Sequence, residues 1–192
     1  RAVGQLMASL PDRCEVVVVG GGVIGVSVAY HLAEAGIQDV VLLERKELTS
    51  GTTWHAAGLV GQLRTSINMT QLARYTSQLY RGLEEETGQS IGWHKCGQLR
   101  IAESADRMDE YLNYASIAQT QGVRAEILNP EQTVDLWPLM QRSLNLLGAV
   151  YNPDDGHIAP ADVTQALAKG AKQLGANIYL HTEVSSIDML PS

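Results

Sequence analysis

Residues 15–25 read Glu-Val-Val-Val-Val-Gly-Gly-Gly-Val-Ile-Gly, and the prediction of the fold rests on them. Four valines followed by glycine are typical of a strand buried on both faces of a parallel sheet. The glycines fit the pattern G-x-G-x-x-G, with Gly20, Gly22 and Gly25 in its three glycine positions. Because the pattern follows a strand and opens an apolar helix, it predicts a turn whose backbone approaches a pyrophosphate at the helix N-terminus.

The residues after this turn complete a βαβ unit. Apolar side chains recur at helical spacing from Val23 to Ala35, and Gly36 suits the left-handed position that follows a helix. Val40–Leu43 reads as a second buried strand, and Glu44 ends it, 19 residues after Gly25. A carboxylate at that position accepts hydrogen bonds from ribose hydroxyls and disfavours a 2′-phosphate, so NADP is disfavoured as a cofactor.

The remaining chain predicts a long loop followed by mixed helices and strands. Residues 45–63 are rich in Thr, Ser and Gly without a period, which is typical of a functional loop. The apolar patterns that follow predict further elements. These are a helix with Leu72, Tyr75, Leu79 and Leu83 on its buried face; a helix capped by Ser104 with Met108, Tyr111, Leu112, Ala115 and Ala118 inside; helices at 130–137 and 161–174; and strands at 98–102, 125–128, 177–180 and 183–187.

The order of these elements predicts the domain organisation. We expect an α/β chain in which residues 14–61 and 159–192 form a Rossmann-like dinucleotide-binding domain. Residues 62–158 would be an inserted α+β region. The sheet needs more strands than these residues supply, and position 1 is arginine rather than methionine. We therefore expect a piece of a longer protein, truncated at its C-terminus.

Composition excludes several other classes of protein. With 45% apolar and 18% charged residues, the chain is globular rather than disordered. A net charge of −7 with scattered basic residues argues against nucleic-acid binding or a polybasic membrane contact. Residues 16–33 lack Asp, Glu, Lys and Arg, but their glycines argue against a membrane span or signal peptide. Cys14 and Cys96 predict free thiols in a reducing compartment.

Other polar residues are interpreted as structural, and neither a catalytic residue nor a metal ligand is assigned. Asp154, Asp155 and His157 belong to an Asn-Pro-Asp-Asp-Gly stretch that is typical of a turn. His94 and Cys96 have no further ligands at metal-binding spacing. We expect His31 to pack at the edge of the core.

Five stretches of the chain resemble the dimethylglycine and sarcosine dehydrogenase family of flavoproteins, within the D-amino-acid-oxidase-like superfamily. The segment Trp-His-Ala-Ala-Gly at 54–58 is the most specific. This resemblance implies FAD as the cofactor and a fold of the glutathione-reductase and D-amino-acid-oxidase type. The matching stretches are Val-Val-Val-Gly-Gly-Gly (17–22), Val-Leu-Leu-Glu-Arg (41–45), Leu-Thr-Ser-Gly-Thr-Thr-Trp-His-Ala-Ala-Gly-Leu (48–59), Leu-Glu-Glu-Glu-Thr-Gly (83–88) and Tyr-Asn-Pro-Asp-Asp-Gly-His-Ile (151–158).

The same resemblance implies the cofactor-binding residues. His55 would carry the FAD through a covalent bond from an imidazole nitrogen to the flavin 8α-methyl group. Thr52 and Thr53 would donate hydroxyl hydrogen bonds to phosphate, and Val184 would contact the adenine through its backbone. The full set implied is Gly20, Gly22, Val23, Ile24, Gly25, Glu44, Arg45, Gly51, Thr52, Thr53, Trp54, His55, Ala56, Ala57, Gly58, Leu59 and Val184.

The activity implied is oxidation of the N-methyl group of dimethylglycine or sarcosine. Tetrahydrofolate would bind a C-terminal region beyond these residues, and an electron-transfer flavoprotein or oxygen would accept the electrons. The compartment would be the mitochondrial matrix in a eukaryote or the cytoplasm in a bacterium, and residues 1–192 alone would not turn over. Two alternatives stay open: an inactive relative resembling the pyruvate dehydrogenase phosphatase regulatory subunit, and an NAD-dependent dehydrogenase. His55 favours the flavoenzyme.

Overall fold

The computed structural model describes residues 9–140 and 145–189. They fall into two compact units, the first within 1–56, 83–90 and 160–192 and the second within 57–82 and 91–159. In chain order the elements are β1 (Val16–Val19), α1 (Val23–Glu34), β2 (Val40–Leu43), a 3₁₀ turn (Thr53–His55), β3 (Leu59–Val60), α2 (Ile67–Thr87), β4 (Gln98–Ala102), α3 (Ala105–Thr120), β5 (Glu126–Leu128), α4 (Pro130–Leu136), β6 (Gly148–Asn152), β7 (Gly156–His157), α5 (Pro160–Gln173) and β8 (Asn177–Tyr179).

The first unit contains the predicted βαβ arrangement. Its parallel sheet has the order β1-β2-β8, with Val16 paired to Val40 and Val41 paired to Asn177. The prediction that its first strand is buried on both faces is wrong, because Val17 and Val19 are 51% and 58% exposed among the described residues. Helix α1 ends before Gly36, whose φ of +83° is the left-handed conformation expected after a helix. Helices α1 and α5 pack closely at Gly170, which has no side chain. A Cβ at this position would lie only 2.8 Å from the Tyr30 ring.

The second unit is built on an antiparallel sheet with the order β4-β6-β5. The central strand β6 was not predicted from the sequence. Gly148 begins this strand with a φ of +147°, and a Cβ there would lie 2.3 Å from the carbonyl oxygen of Leu128. A glycine that ordinarily indicates a turn is therefore needed here for close pairing of β6 with β5.

Two predicted apolar faces are partly wrong. On α2, Leu72 and Tyr75 are 58% and 44% exposed, whereas Thr70 and Ser77 are buried. The Thr70 hydroxyl accepts a hydrogen bond from Arg64 N–H and donates to Arg64 O, so a small polar side chain fills the inner face. On α3, Leu112 is 47% exposed because it borders an open groove rather than the core.

Other predicted boundaries are confirmed, with one exception. Ser104 caps α3 by accepting from Arg107 N–H, and Asn129 caps α4 in a capping box with Gln132. The strand predicted at 183–187 is wrong, because these residues pair with none of the described strands. Among residues 9–140 and 145–189, no helix is long and apolar enough to span a bilayer.

Candidate dinucleotide-binding site

The glycine turn between β1 and α1 is specified by the absence of side chains. Gly20 has a φ of +107°, a conformation that glycine adopts without strain, and its N–H donates to Leu43 O at 2.9 Å. A Cβ at Gly25 would lie 2.0 Å from the carbonyl oxygen of Gly20. Only glycine at position 25 lets the first turn of α1 lie this close to the strand end.

Gly21, which the motif leaves unspecified, is also held by its surroundings. Its N–H donates to Glu44 Oε2 at 2.7 Å, and a Cβ there would lie 2.6 Å from Leu48 Cδ2. The other carboxylate oxygen of Glu44 accepts from Lys46 N–H at 2.8 Å. Each carboxylate oxygen keeps a further lone pair. Glu44 can thus fix the glycine turn and still accept hydrogen bonds from a ribose.

The N-terminus of α1 faces the same turn. Gly22 is its N-cap residue and has extended backbone, and the first turn contains no acidic residue. The Val23 N–H donates to Thr53 Oγ1 at 3.0 Å, across 30 positions of sequence. The positive end of the helix dipole and its remaining N–H groups suit a phosphate group.

A cavity of about 280 Å³ opens at the carboxyl ends of β1, β2 and β8. Ligands of open α/β sheets bind at such strand ends. The Thr182 N–H donates to Glu44 O at 2.8 Å, which brings the residues after β8 to this cavity. Val19, Leu43, Thr182 and Glu183 were not predicted as site residues, and the last two reach the cavity only through the register of β8 beside β2. The cavity is lined by Val19, Gly20, Leu43, Glu44, Arg45, Thr182, Glu183 and Val184.

Residues 51–56 of the first unit separate into one buried and several exposed positions. Thr53 is 8% exposed and its hydroxyl accepts from Val23, whereas Gly51, Thr52 and Ala56 are exposed. The neighbouring rings of Trp54 and His55 lie 3.7 Å apart between centroids, with Trp54 60% exposed. His55 is also exposed, so its imidazole is accessible to a reaction partner.

Of the remaining predicted site residues, Ile24 lies in the first turn of α1 and three others lie in the second unit. Ile24, on the outer side of α1, is 79% exposed. Ala57, Gly58 and Leu59 belong to the second unit, where Gly58 O accepts from Ile158 N–H at 2.9 Å and Leu59 pairs with His157. The structure therefore brings together the glycine turn, Glu44, Arg45, Thr53 and Val184 in the first unit. Ala57, Gly58 and Leu59 lie in the second unit.

The acidic side chains of the turn at 152–156 bind other residues of the second unit. Asp154 binds Arg124 through two hydrogen bonds of 2.6 and 2.7 Å and Lys95 at 2.6 Å. The Arg124 hydrogen bond, followed by that of Lys95, holds the pKa of Asp154 well below its usual range. Asp155 is fully buried, and its Oδ1 accepts from both N–H groups of Gln62, backbone and side chain. Burial raises the pKa of Asp155.

The site fits the phosphate and ribose groups of a dinucleotide, since a glycine cradle, a helix N-terminus and a carboxylate converge in one unit. In residues 9–140 and 145–189, no cluster of three or more His, Cys, Asp or Glu side chains could hold a metal ion. Arg81 packs over the Trp93 ring at 5.9 Å, and His94 lies beside His157 at 5.2 Å between ring centroids. These contacts are all internal to the second unit.

Comparisons with known proteins agree with this geometry. The profile of the family described as FAD dependent oxidoreductase matches residues 15–190. Dimethylglycine dehydrogenase from Rattus norvegicus is 43% identical over 180 residues, which cover 94% of this chain and 21% of that protein. The 4-methylaminobutanoate oxidase (formaldehyde-forming) of Paenarthrobacter nicotinovorans is 46% identical over 178 residues, covering 93% of this chain and 22% of the oxidase.

A solved structure extends the agreement to three dimensions. The crystal structure of L-proline dehydrogenase from P. horikoshii superposes with a TM-score of 0.85 at 28% identity, over 92% of this chain and 46% of that one. The chain spans about a fifth of the length of the two curated relatives. The sequence resemblance and the Rossmann-like fold are confirmed, and the chain belongs to the FAD-dependent oxidoreductase family.

Proposed function

We propose that the chain supplies the FAD-binding part of an enzyme that oxidises the N-methyl group of dimethylglycine, sarcosine or a similar amine. The observation that carries this proposal is the convergence of glycine turn, helix N-terminus and Glu44 in a chain closely similar to enzymes of such amines. Residues 14–61 and 159–192 would form the FAD-binding domain, and residues 62–158 the substrate region.

The cofactor would lie along the first unit from the cavity to the 3₁₀ turn. Glu44 would accept from ribose hydroxyls, and Arg45 and Val184 would border the adenine. The N–H groups of Gly22 and Ile24 would face the pyrophosphate, with the α1 dipole opposing its charge. When bound, FAD supplies the two-electron chemistry, while the protein supplies binding, orientation and electrostatics. Ala57, Gly58 and Leu59 stay predictions from the resemblance.

We further propose His55 as a covalent attachment site. Its imidazole nitrogen would form a C–N bond to the flavin 8α carbon, breaking the N–H bond and one C–H bond of the methyl group. The two protons and two electrons released would reduce the ring, and oxygen or an electron-transfer flavoprotein would then take them up. The exposure of His55 and the ring of Trp54 beside it support this role, because they leave the imidazole accessible and oriented.

The proposed partners rest on the sequence resemblance, and the proposed compartment rests in part on the names of the relatives. The mammalian dehydrogenases similar to this chain are named as mitochondrial, which supports the mitochondrial matrix if the source is eukaryotic. For a bacterial source, the cytoplasm is proposed. Tetrahydrofolate would receive the one-carbon unit in a region outside residues 1–192. The folate, the electron acceptor and the compartment all belong to this proposal.

Anaerobic reduction tests the proposed activity. The full-length protein is mixed with dimethylglycine, sarcosine or 4-methylaminobutanoate, and the visible absorbance of its flavin is followed. We expect at least one amine to bleach the flavin, with a matched tertiary amine that lacks an N-methyl group as the control. Protein that purifies without flavin would contradict the proposal and favour the regulatory role of the pyruvate dehydrogenase phosphatase subunit.

A further inference from the structure

Helix α1 lacks a capping side chain of its own. Its N-cap residue is Gly22, which has no side chain, and no acidic residue lies in its first turn. Most helices cap one of their first N–H groups with Ser, Thr, Asp or Asn at the N-cap position. Here the acceptor is Thr53 Oγ1, which receives the Val23 N–H at 3.0 Å from 30 positions further along the chain.

Thr53 is also the first residue of the 3₁₀ turn that carries His55. It is 8% exposed, whereas Trp54 is 60% exposed and His55 is exposed. The turn is closed by His55 N–H donating to Thr52 O and Ala56 N–H donating to Thr53 O, both at 3.1 Å. A 3₁₀ helix rises about 2 Å per residue, so His55 lies only about 4 Å along the turn from Thr53. Whatever holds Thr53 therefore holds the backbone of His55.

The two segments also pack closely at this contact. A Cβ at Gly22 would lie 3.2 Å from Thr53 Oγ1. Since Gly22 and Val23 form the phosphate end of the glycine turn, one hydroxyl joins the pyrophosphate site to the turn bearing His55. Thr53 uses its oxygen as an acceptor in this contact, rather than only donating to phosphate as the sequence analysis expected.

We infer that Thr53 is a positioning residue for flavin attachment. Its hydroxyl fixes the 3₁₀ turn against the N-terminus of α1, so that a dinucleotide bound at the glycine turn meets the His55 imidazole at a defined distance. The inference rests on the proposed covalent attachment at His55. Misplacing a reacting group by about 1 Å slows such reactions by about a hundredfold, so loss of one anchoring hydrogen bond has a measurable effect on rate.

The test measures attachment rather than turnover. Full-length apoprotein, prepared from riboflavin-limited cells, is mixed with FAD, and the flavin that stays with acid-precipitated protein is followed in time. We expect Thr53→Val, and Thr53→Ala as the smaller variant, to slow attachment about tenfold or more. Thr53→Ser keeps the hydroxyl and should attach FAD at the wild-type rate.

Thr87→Val is the matched control. Thr87 is also buried in the first unit, and its hydroxyl donates to Leu83 O at 2.6 Å and accepts from Gln89 N–H at 3.2 Å. It lies outside the proposed site, so its loss should lower stability without slowing attachment. Hydrogen exchange at the Val23 amide gives a second readout, which we expect to accelerate in Thr53→Val and to stay slow in Thr53→Ser.

The outcomes separate the two proposals. Equal attachment rates in wild type and both hydroxyl-free variants would overturn the role of Thr53 while leaving His55 as the attachment site. Equal slowing in Thr87→Val, or unchanged exchange at Val23, would overturn it as well. Wild-type protein that holds no acid-stable flavin would overturn the attachment proposal itself, and this inference with it.

Discussion

Two turns in the molecule follow a strand and contain glycine, but they are held in opposite ways. The turn after β1 is fixed by absent side chains at Gly20, Gly21 and Gly25, with one carboxylate reaching in from Glu44. The turn after β6 is fixed by its own acidic side chains. The first leaves helix N–H groups available to an anion, whereas the second uses its charges within the protein. The comparison teaches that a ligand site keeps polar groups that are free to bind a ligand. In a structural acidic turn, the polar groups are already paired within the protein.

The largest expected effect is at the first turn. In Gly25→Ala, the new Cβ would lie 2.0 Å from the Gly20 carbonyl oxygen, so the helix must move away from the strand. We expect unfolding free energy to fall by about 3 kcal/mol and FAD binding to weaken with it. Gly82→Ala in α2 is the matched control, because a Cβ there meets nothing within 4 Å. It should stabilise the protein by about 0.5–1 kcal/mol. Urea unfolding measures the change in unfolding free energy of each of the two variants. Equal stability of Gly25→Ala and wild type would refute the steric account.

The second turn offers a test of how its buried carboxylate acts. Asp155→Ala leaves two buried N–H groups of Gln62 without an acceptor, so we expect a loss of about 2 kcal/mol in unfolding free energy. Asp155→Asn keeps Oδ1 as the acceptor for Gln62 and removes the buried charge, so it should lose less stability than the alanine variant. Because burial raises the pKa of Asp155, the charged form opposes folding, and wild-type stability should decline as the pH rises above about 3.9. Asp155→Asn should remove that decline; an asparagine variant as unstable as the alanine variant would show that the charge itself is needed.

The smallest effect is expected at the neighbouring aspartate. Asp154 binds Arg124 and Lys95 near the surface, with 21% of its side chain exposed, so Asp154→Asn should cost only about 1 kcal/mol at neutral pH. Its pKa is lowered in the folded state by these partners, so its contribution is present above about pH 3.9 and is lost as the pH falls below that value. Thermal unfolding at several pH values should show wild type and variant converging in acid. A difference that persists in strong acid would contradict this ion-pair account.

The sequence predicted the first turn because its determinants are local. The valine run, the glycine spacing and the position of Glu44 lie within 30 residues, and each has a direct steric or hydrogen-bonding meaning. The close packing around Gly21 was not predicted, because it depends on Leu48 and Glu44 folding back onto the turn. The same holds for Thr182 and Glu183, which reach the cavity only through the register of β8 beside β2.

Helix faces and short strands were harder to predict for a similar reason. Leu72 and Tyr75 fit an apolar stripe, but the inner face of α2 accepts Thr70 because its hydroxyl bonds the Arg64 backbone. Apolarity alone does not reveal such a partner. Thr53 was predicted as a phosphate donor on the strength of its residue type, whereas its contact with Val23 depends on tertiary structure. Local pattern thus identifies the elements, and long-range hydrogen bonds decide which polar groups remain available to a ligand.

The central claim is that a flavin is held by the glycine turn and bonded to His55. The most direct measurement compares wild-type full-length protein with His55→Ala, first for flavin that copurifies and then for flavin that stays with acid-precipitated protein. We predict that wild type retains its flavin through acid, whereas His55→Ala binds FAD reversibly and releases all of it. Acid-stable flavin in His55→Ala at the wild-type level would contradict the account.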